Sequence, residues 1–139
     1  MARGQVRDTL QRHDTLSVES LLRLHDEKTG GFIASSLVVG ILLAGGSSGQ
    51  IESFRKFGFL LGRAFQIRDD ILDYEGESMI LGKKTGKDLE LGKGIVSLVG
   101  ITESKKILQN LKEEMILLVQ DLGDARFFDV VEYVVKREQ

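Results

Sequence analysis

The sequence predicts an all-α protein, an antiparallel helical bundle, on three observations. Proline is absent from all 139 residues, which removes the strongest helix breaker. Apolar residues recur at spacings of three and four through most of the chain, and few stretches alternate as a half-buried strand would. Short connections between such elements favour antiparallel neighbours. Ser17 is placed to cap a first helix carrying Val18, Leu21, Leu22 and Leu24. Gly30-Gly31 is expected to interrupt it, and Phe32 to Leu43 reads as a largely buried helix ending at Gly45-Gly46. A longer helix is expected from about Gln50 to Tyr74.

The next segment differs in kind. From Gly76 to Gly94 there are glycines at 76, 82, 86, 92 and 94 and lysines at 83, 84, 87 and 93, which reads as a long polar loop. A short apolar stretch, Ile95 to Val99, follows it. Two further helices are expected, from about Thr102 to Asp121 and from about Asp124 to Lys136. Leu108, Leu111, Met115 and Leu118 stripe the first of these; Phe127, Val130, Val131 and Val134 stripe the second. No repeat or change of composition marks a boundary, so residues 1–139 are expected to form one helical domain.

Composition narrows the function. Hydrophobic residues at 42% and charged residues at 29% describe a soluble globular chain rather than a disordered one. A formal charge of −2 leaves no basic footprint for nucleic acid. The absence of cysteine excludes disulfides, thiolate metal sites and a cysteine nucleophile, and fits an intracellular, cytoplasmic chain. No signal peptide is expected from the polar N-terminus, and the longest apolar run, Ser36 to Ala44, is too short for a transmembrane segment.

The segment richest in chemistry is Phe65-Gln66-Ile67-Arg68-Asp69-Asp70-Ile71-Leu72-Asp73. At about 100° per residue, Gln66, Asp69, Asp70 and Asp73 share an arc of roughly 100° on one helix face. Phe57, Leu60, Leu61, Ala64, Ile67, Ile71 and Leu72 lie opposite. Three carboxylates within a turn or two repel one another unless a cation sits among them. Magnesium suits that face, because it binds through one or two carboxylates and takes other ligands from water and phosphate. A plain acidic, solvated face is the alternative.

Opposite charge stands in two glycine-rich settings: His25-Asp26-Glu27-Lys28-Thr29-Gly30-Gly31, and Leu81-Gly82-Lys83-Lys84-Thr85-Gly86-Lys87-Asp88-Leu89 with Gly92-Lys93. Neither has the spacing of a nucleotide-hydrolase phosphate loop. Carboxylates for magnesium and lysines for phosphate oxygens together form a coherent diphosphate site. Arg68 falls on the buried side and needs a carboxylate or an edge position.

These residues resemble the trans-isoprenyl diphosphate synthases, the polyprenyl synthetase family. Phe65-Gln66 with Asp69-Asp70-Ile71-Leu72-Asp73 looks like that family's second aspartate-rich motif. Gly58 and Gly62 stand where its helix has Gly-x-x-Leu-Gly. His25, Lys28, Thr29 and Gly30 are similar to its Lys-Thr motif. Leu81 to Leu89 with Gly92-Lys93 looks like the loop after the second motif, and Gly4-Gln5 with Asp8 resembles a mid-chain Gly-Gln segment.

The resemblance implies magnesium-dependent head-to-tail condensation of an allylic diphosphate with isopentenyl diphosphate. It implies that Asp69 ligates Mg2+ with Asp70 and Asp73 in support. Lys28 and Lys83 would contact the allylic diphosphate with Lys93 nearby, and Thr29 and Gln66 would line the pocket. The family's first aspartate-rich motif lies upstream of the Gly-Gln segment and has no counterpart here. The chain is therefore expected to be the C-terminal half of such a synthase. Alone it is expected to be largely inactive, and to act as a homo-oligomer or beside a complementing N-terminal half. Around Gly94 to Leu98 the family's usual Thr-Tyr-Pro signature is absent. A non-catalytic helical partner acting by association is the alternative from another class. A terpene cyclase is disfavoured by the Lys-Thr-Gly and Gly-Lys segments.

Overall fold

The computed structural model describes residues 17–80 and 94–138, the side chains of 77–80 excepted. The described residues are helical with no strand. In chain order they form α1 (Val18–His25), a π-helical turn (Asp26–Gly30), α2 (Gly31–Leu43), α3 (Ser48–Ile80), α4 (Ile95–Leu122) and α5 (Arg126–Lys136). Helix α3 is the central rod and packs against all the others.

Local chemistry sets the ends. Ser17 caps α1, its Oγ accepting the Ser20 N–H at 3.2 Å. Ser47 and Gln50 form a reciprocal capping box ahead of α3: Ser47 N–H donates to Gln50 Oε1 at 2.9 Å and Gln50 N–H to Ser47 Oγ at 3.3 Å. Gly123, at φ 72°, closes α4 in the left-handed region that glycine tolerates.

Three expectations are corrected. Gly30 and Gly31 do not interrupt the helix: both are right-handed helical, and the chain runs from α1 through the π turn into α2. The lack of a side chain at Gly30 serves a close crossing instead. A Cβ on Gly62 would lie 2.4 Å from Gly30 Cα, and one on Gly58 the same distance from Ala34 Cα. Two helix backbones meet there, antiparallel, with Gly58 beside Ala34 and Gly62 beside Gly30. Helix α2 is also not largely buried. Ala34 alone of its residues is buried, while Phe32, Val39, Leu42 and Leu43 are exposed, the last by 85%. It meets α3 along the small-residue seam, with Ile33 and Leu37 packed at the edge of the core, and leaves those four side chains exposed. Finally, α3 continues past Gly76 to Ile80, so the first part of the expected loop is helical, and residues 81–93 lie outside the described residues.

The core follows most of the predicted stripes, but Val130 is exposed, Leu72, Leu118 and Phe127 are only half-buried, and Val119 rather than Leu118 completes the stripe of α4. Phe57, Leu60, Leu61, Ala64, Ile67 and Ile71 of α3 pack with Leu108, Leu111, Met115 and Val119 of α4 and Val131 and Val134 of α5. Each fully buried side chain of this size contributes about 1.5–3 kcal/mol. Phe127 sets its ring edgewise to Phe54 and Phe57, at 5.2 and 5.4 Å, fixing α5 on α3. Helix α4 bends at Gly100, whose φ of 80° and ψ of 162° separate the short apolar stretch from the longer helix, as the sequence suggested.

Candidate functional site

The π turn carries Lys28 and Thr29, and α3 carries the acidic turn. A π turn widens a helix and usually marks a working position. Here it is held from α3 on two sides. Gly62 admits the backbone of Gly30 and Thr29. One residue on, Arg63 grips Asp26 with both arms, Nε to Oδ1 at 2.7 Å and Nη2 to Oδ2 at 2.6 Å. That hydrogen bonding raises the Arg63 guanidinium above its already high ordinary value. Lys28 and Thr29 are half-buried, and His25 just before the turn is buried.

The three aspartates diverge. Asp69 and Asp73, one turn apart, border a single cleft of about 450 Å3 with Leu72, Tyr133, Arg137 and Glu138. Asp69 is paired with the Arg137 guanidinium. Arg137 also covers the Phe65 ring, 3.9 Å from its centroid, and reaches the Phe65 carbonyl at 3.5 Å. Asp70 points elsewhere: its Oδ2 accepts the Ile95 N–H at 2.9 Å. The expected block of three converging carboxylates is therefore a pair at one cleft and a third aimed at the start of α4. Among the described residues no group of three or more His, Asp or Glu comes together to hold a metal.

The donor set still fits magnesium. A hard cation of that size takes one or two carboxylates and completes its shell with water and phosphate. The Arg137 guanidinium beside Asp69 already stands where a cation would be met.

Gln66 is half-buried on the acidic side of α3, one turn beyond Gly62. Lys83 and Lys93 lie outside the described residues. Arg68 finds neither a carboxylate nor a bare edge: its Nε and Nη2 donate to the Arg137 carbonyl at 3.0 and 2.8 Å. Arg63, Asp26 and Arg137 were not singled out in the sequence. Asp26 and Arg63 stand 37 residues apart in the chain, and only the Gly62–Gly30 crossing makes them neighbours.

A family model described as polyprenyl synthetase matches residues 1–123. A farnesyl diphosphate synthase of Micrococcus luteus is 34% identical over 143 residues, spanning 100% of this chain and 49% of that protein. A geranylgeranyl pyrophosphate synthase of Capsicum annuum is 37% identical over 113 residues, 80% of this chain and 31% of that protein. The chain thus spans half or less of the length of these relatives. Among solved structures, a geranyltransferase from Helicobacter pylori complexed with magnesium and isoprenyl diphosphate superposes with a TM-score of 0.71 at 28% identity, over 97% of this chain and 44% of that one.

Proposed function

Because the chain belongs to the polyprenyl synthetase family, we propose that it supplies the second-motif, C-terminal half of a trans-prenyltransferase site. The reaction is the magnesium-dependent joining of an allylic diphosphate to isopentenyl diphosphate. The observation that carries this reading is the Gly62–Gly30 crossing, which sets the Lys28-Thr29 turn alongside the helix bearing the aspartates. From Gly62 to Asp69 is seven residues, about 10 Å along the helix axis, a span that a diphosphate and a lysine side chain bridge together.

Each residue then has a task. Asp69 and Asp73 would hold magnesium, and Lys28 would bind the diphosphate oxygens, with Lys83 and Lys93 as further cations. Thr29 and Gln66 would line the pocket beside the reacting carbons. The chemistry magnesium supplies when bound is neutralisation of charge growing on the leaving diphosphate. Lys28 would add a fixed positive charge at the same oxygens, and the pocket that Thr29 and Gln66 would line would keep water from the carbocation.

A second reading concerns association. The exposed Phe32, Val39, Leu42 and Leu43 of α2 favour a chain that works against another helical unit, a complementing N-terminal half or a second copy. Calorimetric titration of the full chain with inorganic pyrophosphate tests the site. Affinity should depend on Mg2+ and fall on Asp69→Ala and on Lys28→Ala; binding that neither change weakens would refute the assignment. Condensation by the chain alone should be slight, and robust turnover by it would contradict the half-site reading.

A further inference from the structure

The contact between Asp70 and the start of α4 is built from both sides. The Ile95 N–H belongs to the first turn of α4, where no intrahelical acceptor exists, and no side chain at Gly94 caps it. Asp70 Oδ2 accepts it from another helix at 2.9 Å. Ile95 is fully buried and Val96 is 7% exposed, so the amide lies at the edge of the core. Gly94 makes room: its φ is 129°, and a Cβ there would lie 2.3 Å from Asp70 Oδ2. Only glycine accommodates both that backbone and that carboxylate.

Resting on the reading of the acidic turn as a magnesium–diphosphate site, we propose that Asp70 is a positioning residue: it caps α4 from α3 and leaves metal ligation to Asp69 and Asp73. A cap needs an acceptor oxygen, and asparagine supplies one as well as aspartate does. A magnesium ligand of this kind needs the anion. The amide substitution therefore separates the two roles, which an alanine substitution alone does not.

The test uses the full chain in four forms: unsubstituted, Asp70→Asn, Asp70→Ala and Asp69→Asn. Amide hydrogen exchange at Ile95, read by NMR, reports the cap. Asp70→Ala should speed it by about tenfold or more, and Asp70→Asn by less than about threefold. Titration with inorganic pyrophosphate, with and without Mg2+, reports the metal. Asp69→Asn should weaken Mg2+-dependent binding by about tenfold or more, and Asp70→Asn by less than about threefold. An Asp70→Asn chain that loses as much Mg2+-dependent affinity as Asp69→Asn overturns the proposal. So does an Asp70→Ala chain whose Ile95 exchange is unchanged. If the unsubstituted chain shows no Mg2+-dependent binding, the diphosphate reading falls, while exchange at Ile95 still decides the capping role. Should Asp70→Ala fail to fold, Asp70→Asn decides by itself: protected exchange at Ile95 with retained binding supports the cap, and lost binding defeats it.

Discussion

Arg137 and Asp69 are joined at the cleft between α5 and α3, with the Arg137 guanidinium also lying over the Phe65 ring. Its carbonyl is held in turn by Arg68. The carboxylate proposed to hold magnesium thus already faces a cation, and the end of α5 is tied to the aspartate-bearing helix. Replacing Arg137 by alanine removes that competing charge. Mg2+ affinity should rise several-fold, about 1 kcal/mol in free energy, while the thermal midpoint drops by a few degrees as the stacking is lost. Isothermal titration and calorimetric melting read the two effects, and a fall in Mg2+ affinity would show that Arg137 does not compete.

The seam between α3 and α2 tolerates no side chain. In Gly62→Ala the new methyl would meet the Gly30 backbone at 2.4 Å. Backbone atoms on both helices cannot yield locally, so the helices must part. Urea denaturation should show a loss of about 1–3 kcal/mol. Gly40→Ala, whose Cβ has nothing within 4 Å, should instead be neutral or slightly stabilising through helix propensity.

Arg63→Met keeps most of the side chain's bulk and removes the fork to Asp26. Asp26 is then left half-buried without its guanidinium, a loss of about 1.5–3 kcal/mol. Because the same contact steadies the turn carrying Lys28, pyrophosphate affinity should weaken with it. Arg63→Lys should recover part of the stability but not the two-armed geometry.

How much of this was legible follows from where each signal lies. The apolar stripes of α3, α4 and α5 are local periodicities, and Phe57, Ile67, Met115 and Val131 are buried as their spacing implies. The Ser47–Gln50 capping box was written in the chain and places the start of α3 two residues before the expected Gln50. Gly30-Gly31 misled, because a glycine that breaks a helix and a glycine that admits a crossing look the same until Gly62 is seen against Gly30. The acidic turn was recognised as a face, but Asp70's turn toward Ile95 depends on a partner 25 residues away. Helical angle alone puts Asp70 nearer to Asp73 than to α4.

The α4–α5 corner should hold its contact deep into acid. Asp124 accepts from the Arg126 side chain at 2.6–3.1 Å and from its backbone N–H at 3.0 Å, which lowers its pKa from 3.8 to about 2. A depressed folded-state value means that the contact's stabilisation is present above the ordinary carboxylate range. It is lost as pH falls through about 2. NMR titration of the Asp124 carboxyl carbon should give a midpoint near 2, and Arg126→Gln should return it toward 3.8.

The central claim is that the acidic turn of α3 and the Lys28-Thr29 turn serve one diphosphate. The most direct measurement is a crystal structure of the chain with Mn2+ and inorganic pyrophosphate, the metal located by its anomalous signal. The account predicts Mn2+ on Asp69 and Asp73, with Arg137 displaced and the pyrophosphate reaching from the metal to Lys28. Metal absent from Asp69, or pyrophosphate bound where Lys28 and Asp69 cannot both touch it, would contradict the account.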